Sequence, residues 1–218
     1  KSMEQLGQGY GYMLYSSALH TERELRSLRL YQAADRAIAF ADGKRVLTAM
    51  DRELLERHEI ELPAAENIRL DILMENMGRV NYGPMINWQR KGIDGCVMIN
   101  DRFAQHGWLQ YSLPLDNLDK LDYTRGYEKG MPAFYRFVFT VKKIGDTFLD
   151  CEGWGKGSAF VNGFHLGRFW EVGPQKRLYL PGALLKEGEN EIILFETEGK
   201  CKESISLQAE PDLGRRPL

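Results

Sequence analysis

Along this chain, apolar and polar positions fall into short runs of strand length rather than into stripes of helical spacing. Residues 10–15 read YGYMLY and residues 134–141 read FYRFVFTV, rich in the aromatic and β-branched side chains that pack best on a pleated, half-buried surface. Glycine punctuates such runs at Asp42-Gly43, Asn162-Gly163 and Glu187-Gly188, where a residue without a Cβ takes positive φ at little cost. Asn162-Gly163 has the composition of a type I′ hairpin turn, and Phe164, Leu166 and Phe169 beyond it alternate with polar neighbours. The best helical candidate is the charged stretch 51–58, enough for a turn or two. The pattern predicts an all-β class with trivial helix, its strands lying between two packed layers.

The chain also resembles itself. Residues 37–43, AIAFADG, are similar to residues 156–163, KGSAFVNG, with Phe40 and Phe160 about 120 positions apart. Two more matches follow in the same order: Ile60-Glu61-Leu62-Pro63 with Leu178-Tyr179-Leu180-Pro181, and residues 66–70 with residues 189–193. Three ordered matches argue for one duplicated β-module running strand, Asx-Gly turn, strand, Leu-Pro edge, turn, strand. Proline suits an edge, where no ladder hydrogen bond is donated. The duplication implies two tandem sandwiches, residues 1–114 and 127–218. They are joined by a polar connector over 115–126 that contains Asp116, Asn117, Asp119, Asp122 and Gly126.

Composition removes several classes of function. Across 218 residues, 29 basic and 31 acidic side chains leave a net charge of −2, so no field attracts polyanions and nucleic acid is not an expected partner. No run approaches the 18 or so apolar residues of a membrane helix, and residues 1–10 lack the basic start and apolar middle of a signal peptide. Cys96, Cys151 and Cys201 are far apart and lack zinc spacing. No clustered Asp/Asn loop suggests calcium. The expectation is buried free thiols, no metal and no cofactor. The absence of a disulfide-rich character favours a cytoplasmic protein.

Three motifs carry a resemblance to a known family. Residues 75–83 read ENMGRVNYG, residues 153–170 read GWGKGSAFVNGFHLGRFW ahead of Gly173-Pro174-Gln175, and residues 8–15 read QGYGYMLY. In order and over nearly the whole chain they resemble the C-terminal β-region of the family 35 β-galactosidases. The resemblance implies two jelly-roll-like, galactose-binding-domain-like sandwiches. It also implies a parent enzyme whose N-terminal (β/α)8 barrel, absent from this chain, removes terminal β-linked galactose with retention. Retention requires two carboxyl groups roughly 5 Å apart. The resemblance places that pair of glutamates in the barrel, so no catalytic residue is expected here and the chain alone is expected to be inactive. Glu75, Asp150, Glu152 and Glu196 are not assigned to such a pair. The implied partners are the parent's own barrel and, through it, a β-galactoside. An exposed barrel-facing surface would favour self-association into a homo-oligomer.

Two stretches hold side chains suited to sugars. Residues 76–88 gather Arg79, Asn81, Tyr82 and Trp88 into one turn-rich loop. Amide and guanidinium groups make directed hydrogen bonds to hydroxyls, and an aromatic face covers the C–H face of a pyranose. One reading puts these residues at the rim of the barrel's cleft. The other has Gly78, Gly83 and Pro84 fixing a bent loop while Arg79 and Asn81 satisfy backbone groups at an interdomain contact. In the second module Trp154, Arg168 and Trp170 form a candidate carbohydrate platform, against ordinary inward packing of the same run. His165 has neither a nucleophile motif nor a second histidine at metal spacing beside it. Two functions compete: an inert accessory region that shapes the barrel's rim, and an autonomous galactoside-binding module marked by an exposed aromatic patch on the second sandwich.

Overall fold

The computed structural model describes residues 1–21, 24–62 and 65–214, and divides into two units, Lys1–Asn117 and Leu118–Leu218. Pro63, assigned above to a strand edge, lies outside the described residues. The first unit contains β1 (Tyr12–Thr21), β2 (Leu25–Leu30), β3 (Ala33–Ala34), β4 (Arg36–Ala41), β5 (Lys44–Met50), β6 (His58–Leu62), β7 (Ala65–Glu75), β8 (Gly92–Ile93), β9 (Val97–Ile99), β10 (Phe103–Ala104) and β11 (Leu109–Leu113). The second contains β12 (Ala133–Val141), β13 (Thr147–Asp150), β14 (Lys156–Val161), β15 (Phe164–Trp170), β16 (Arg177–Leu180), β17 (Gly188–Glu196) and β18 (Ser206–Gln208). The helices are single 3-10 turns, so the chain is all-β.

Each unit is a two-layer antiparallel sandwich. In the first, the order β11-β1-β7-β4-β5 forms one sheet and β10-β9-β2-β6 the other, with β3-β8 as a small ribbon. Alternate residues of β1 and β7, Met13 and Tyr15 with Ile68, Leu70, Ile72 and Met74, meet Leu25, Leu28, Leu30, Ile60, Val97 and Ile99 in one core. In the second, β12-β17-β14-β15 faces β16-β13-β18, and Ala159, Val161, Ile192 and Leu194 pack against Leu149, Leu178 and Leu180. Each large aliphatic side chain so buried contributes about 1.5–3 kcal/mol relative to exposure.

The sequence repeat is a repeat of topology. β17 lies between β12 and β14 as β7 lies between β1 and β4, and β13 lies between β16 and β18 as β2 lies between β6 and β9. The β4–β5 and β14–β15 hairpins correspond in detail. Asp42 and Gly43 have φ of 46° and 79°, and Asn162 and Gly163 have φ of 49° and 81°, the paired positive values of a type I′ turn. Both hairpins carry a bulge just before the turn, between Ala39 and Phe40 and between Ala159 and Phe160. The extra residue, Val46 in one and Leu166 in the other, packs on its core. Each turn also holds the strand beside the hairpin in its sheet, β7 or β17: Asp42 Oδ1 accepts Arg69 N–H at 2.8 Å, and Asn162 Oδ1 accepts Glu191 N–H at 3.0 Å.

Three boundaries differ from the sequence expectation. β1 begins at Tyr12 rather than Tyr10. Gly11 sits at φ +84°, and a Cβ there would come within 2.6 Å of the Leu113 carbonyl oxygen, so the chain turns sharply before pairing starts. The stretch 51–58 forms one 3-10 turn, Asp51–Leu55, pinned by the buried Leu54 and by Glu53 accepting the Met50 N–H at 3.1 Å. Glu187-Gly188 leads out of the Gly182–Leu184 turn into β17 instead of closing a two-residue hairpin.

Candidate functional site

The loop between β7 and β8 has a clamped neck and an exposed tip. Two carboxylates hold its feet. Asp35, just after β3, accepts the Met77 N–H through Oδ2 at 2.7 Å and the Lys91 ammonium through Oδ1. Glu4 accepts the Arg79 guanidinium and, with both oxygens, the Lys91 N–H at 3.1 and 3.0 Å. Gln89 closes the neck, its carbonyl accepting Arg79 Nη1 at 3.0 Å and its side chain the Val80 N–H at 3.3 Å. Lys91 is 5% exposed. Charge-assisted bonds at such depth are each worth about 1.5–3 kcal/mol. Burial pushes the Glu4 carboxyl up, but the bonds from Arg79, the Lys91 N–H, its own N–H and Ser2 outweigh it and hold the group below the usual carboxylate range.

Beyond the neck the side chains turn to solvent. Tyr82 is 90% exposed and Trp88 70%, with Val80, Met85 and Ile86 exposed beside them in sequence. Asn81 is exposed, and its amide makes no hydrogen bond among the described residues. Gly83, at φ +124°, lets the tip turn. Of the four loop residues singled out above, Arg79 is thus committed to holding the neck, while Asn81, Tyr82 and Trp88 are free at the tip.

The aromatic residues of the second unit are placed differently. Trp154 is fully buried, its ring 5.0 Å from Tyr135 and 6.1 Å from Phe137, centroid to centroid. It is a core residue with no face open to a ligand. Trp170 is half-buried with the Lys156 ammonium 4.7 Å above its ring, paired across β14 and β15. Arg168 is exposed on the same strand. His165 stacks near Phe160 at 4.8 Å, and burial, then the Arg168 charge, lowers its pKa. Arg168 and Trp170 share one face of β15 and Trp170 lines a small cavity with Trp154, but the burial of Trp154 keeps the three from forming an open aromatic platform.

Three of the four acidic residues named above are committed to structure. Glu196 is fully buried. Its Oε1 accepts N–H groups of Gly155 at 3.2 Å, Lys156 at 3.4 Å and Glu198 at 3.1 Å, and its Oε2 that of Lys200 at 2.8 Å. Burial raises its pKa, and backbone N–H groups of Lys200, Glu198, Lys156 and Gly199 oppose the rise. Glu75, also buried, lies 3.7 Å from Arg36. Asp150 accepts the Glu152 N–H at 3.1 Å and lies 3.8 Å from Arg177, and Glu152 is exposed. Among the described residues no group of three His, Cys, Asp or Glu side chains could hold a metal ion, and no helix is long and apolar enough to cross a membrane.

Comparison with known families places this arrangement. Residues 1–114 match the profile described as β-galactosidase, first all-beta domain, and residues 132–190 match β-galactosidase, galactose-binding domain. The chain belongs to the β-galactosidase family. β-Galactosidase 17 of Arabidopsis thaliana is 37% identical over 95% of this chain and 34% of its own length. β-Galactosidase 1 of Dictyostelium discoideum is 35% identical over 89% and 32%, and a β-galactosidase of Xanthomonas manihotis 37% identical over 82% and 29%. The chain therefore spans about a third of the length of these relatives and is an accessory β-region of a family 35 enzyme.

Within this β-galactosidase region, the tip residues were legible because glycine and proline flank them. The clamp was not. Glu4 and Arg79 are 75 residues apart and Asp35 and Lys91 are 56 apart, and no local spacing announces such pairs.

Proposed function

We propose that this chain is the non-catalytic β-region of a retaining β-galactosidase and that its 76–91 loop forms part of the rim of the catalytic cleft. The parent's (β/α)8 barrel hydrolyses terminal β-linked galactose, and Tyr82, with Trp88 and Asn81, meets the aglycone or the sugar released by the cut. The observation that carries this reading is Tyr82, 90% exposed on a loop whose neck is fixed by two carboxylates. A rigid neck presents an aromatic ring with little ordering entropy left to lose on binding. The competing reading, an autonomous galactoside-binding second module, needs an exposed aromatic platform there, and the burial of Trp154 removes its central member.

In the full-length enzyme, Tyr82→Ala is expected to lower kcat/KM for a β-galactosyl disaccharide about tenfold, a loss of about 1.4 kcal/mol. The change for a substrate with a minimal aglycone should be much smaller, and the melting temperature should not move. Equal effects on both substrates would remove Tyr82 from the aglycone side. The 218-residue chain by itself is expected not to turn over a chromogenic β-galactoside; turnover would overturn the accessory assignment.

A further inference from the structure

The two sandwiches differ at the outer edge of their first long strand. In the first unit that edge of β1 is covered by the chain itself. β11 pairs with residues 12–16 and sets Ser112 and Gln110 on the inner side, opposite Met13 and Tyr15. Farther along, the Gln105 amide donates to Ser17 Oγ at 2.9 Å and to the Ala18 carbonyl at 3.4 Å, and Ser17 Oγ donates to the His106 carbonyl at 3.1 Å. The inward row of β1, Met13, Tyr15, Ser17 and Leu19, is buried throughout.

In the second unit β12 lies beside β17 as β1 lies beside β7. Its inward row, Tyr135, Phe137, Phe139 and Val141, packs on the core yet stays half-buried. β17 pairs with one edge of β12 in an unbroken register over residues 133–141. Tyr127 and Tyr123 reach the first half of the strand, 6.1 Å from the Tyr135 ring and 5.9 Å from the Arg136 guanidinium. Neither brings a backbone partner, and among the described residues nothing pairs with the other edge. An edge of this kind offers a row of N–H and C=O groups to any extended chain, and proteins blunt it with proline, a charge within the strand or a bulge. Residues 137–141 have none of these, and charge begins only at the exposed Lys142 and Lys143 beyond them.

We propose that the outer edge of β12 over residues 137–141 is the docking site for a β-strand from the part of the parent polypeptide outside residues 1–218. Three observations point to this occupant. The first unit fills the same edge from its own polypeptide, with β11. The half-buried row Phe137, Phe139 and Val141 is what a missing neighbour strand leaves uncovered. The chain spans about a third of the length of its relatives, so most of the parent lies outside it. A tethered strand also meets the edge at an effective concentration of about millimolar, which favours it over a separate copy. The incoming strand places apolar side chains beside Phe137, Phe139 and Val141 and an acidic one near Lys142 and Lys143. The proposal rests on the partial coverage of the relatives and not on the role of Tyr82.

In the full-length enzyme, photoreactive benzoylphenylalanine replaces Val138 or, in a second variant, Thr140. Both side chains are exposed and stand outside the core, so neither replacement disturbs packing. A strand on this edge brings its same-face residues within about 5 Å, and capture is expected within one polypeptide, on a segment outside residues 1–218. Amide exchange over 137–141 is then compared between the full-length enzyme and the 218-residue chain. An edge strand leaves alternate N–H groups unpaired, and these are expected to exchange at least about tenfold more slowly in the full-length enzyme. Capture within residues 1–218 or on a second copy, no capture from either position, or equal exchange in the two proteins would overturn the proposal.

Discussion

Glu196 shows how one side chain can organise the end of a sandwich without a counter-charge. Four backbone N–H groups converge on its carboxylate and tie the end of β17 to the turn before β14. Around it lie Tyr135, whose hydroxyl donates to the Lys200 carbonyl at 3.0 Å, and Lys200, whose ammonium is paired to Glu171. Because burial raises the folded-state pKa above the ordinary value, the native state holds the proton more tightly than the unfolded chain. This group's contribution to stability therefore falls as pH rises from the normal carboxyl range through the raised folded value, and is flat beyond it. Glu196→Gln is expected to remove that component, so that the melting temperatures of wild type and variant diverge with pH across this window. A constant difference would exclude it. Glu196→Ala, which orphans the buried donors, is expected to cost about 3 kcal/mol in urea unfolding.

Strands are the scale at which the sequence was most readable, and at which its limits are clearest. The runs at 10–15 and 134–141 became β1 and β12 because a period of two with aromatic and β-branched residues has few other uses. The two-residue strands β3 and β8 exist only through each other, distant in the chain, and have no local signature. Trp154 was legible as an aromatic but not as a core residue, since residue type does not say which face it occupies. The polar inner face of β11 was open to view in Gln110 and Ser112, yet only the pairing with Tyr15 and Met13 tells inside from outside. The two hairpin turns give the prediction for this scale. Asp42→Asn keeps both the positive φ and the cap on Arg69 and should change stability by less than about 0.5 kcal/mol. Asn162→Ala loses its tolerance of positive φ and its cap on Glu191, and should cost about 2 kcal/mol. Chemical unfolding of both variants checks the contrast.

The molecule as a whole is two copies of one strand plan with different surfaces. The first unit exposes Val80, Tyr82, Met85, Ile86 and Trp88 on its loop and Leu109 and Tyr111 on β11. In a longer enzyme that surface is suited to being covered. The isolated chain is accordingly expected to self-associate as its concentration rises. Leu109→Glu with Tyr111→Lys should shift the sedimentation profile toward monomer without lowering the melting temperature, and a wild-type chain that is monomeric at all concentrations would contradict this. Stability should not respond to a chelator, because metal-holding clusters are absent among the described residues; a fall in melting temperature with EDTA would reveal one.

The paired bulges at Val46 and Leu166 act on the lineage as well as on the fold. An extra residue in one strand of a ladder is a frame marker: side chains beyond it keep their faces only while the count stays odd by one. A relative that drops this residue inverts everything between the bulge and the turn unless it inserts another nearby on the same strand. Gaps in aligned sequences at β5 and β15 should therefore come in compensating pairs, and the two copies should have held this frame since they parted, while their surfaces diverged around it.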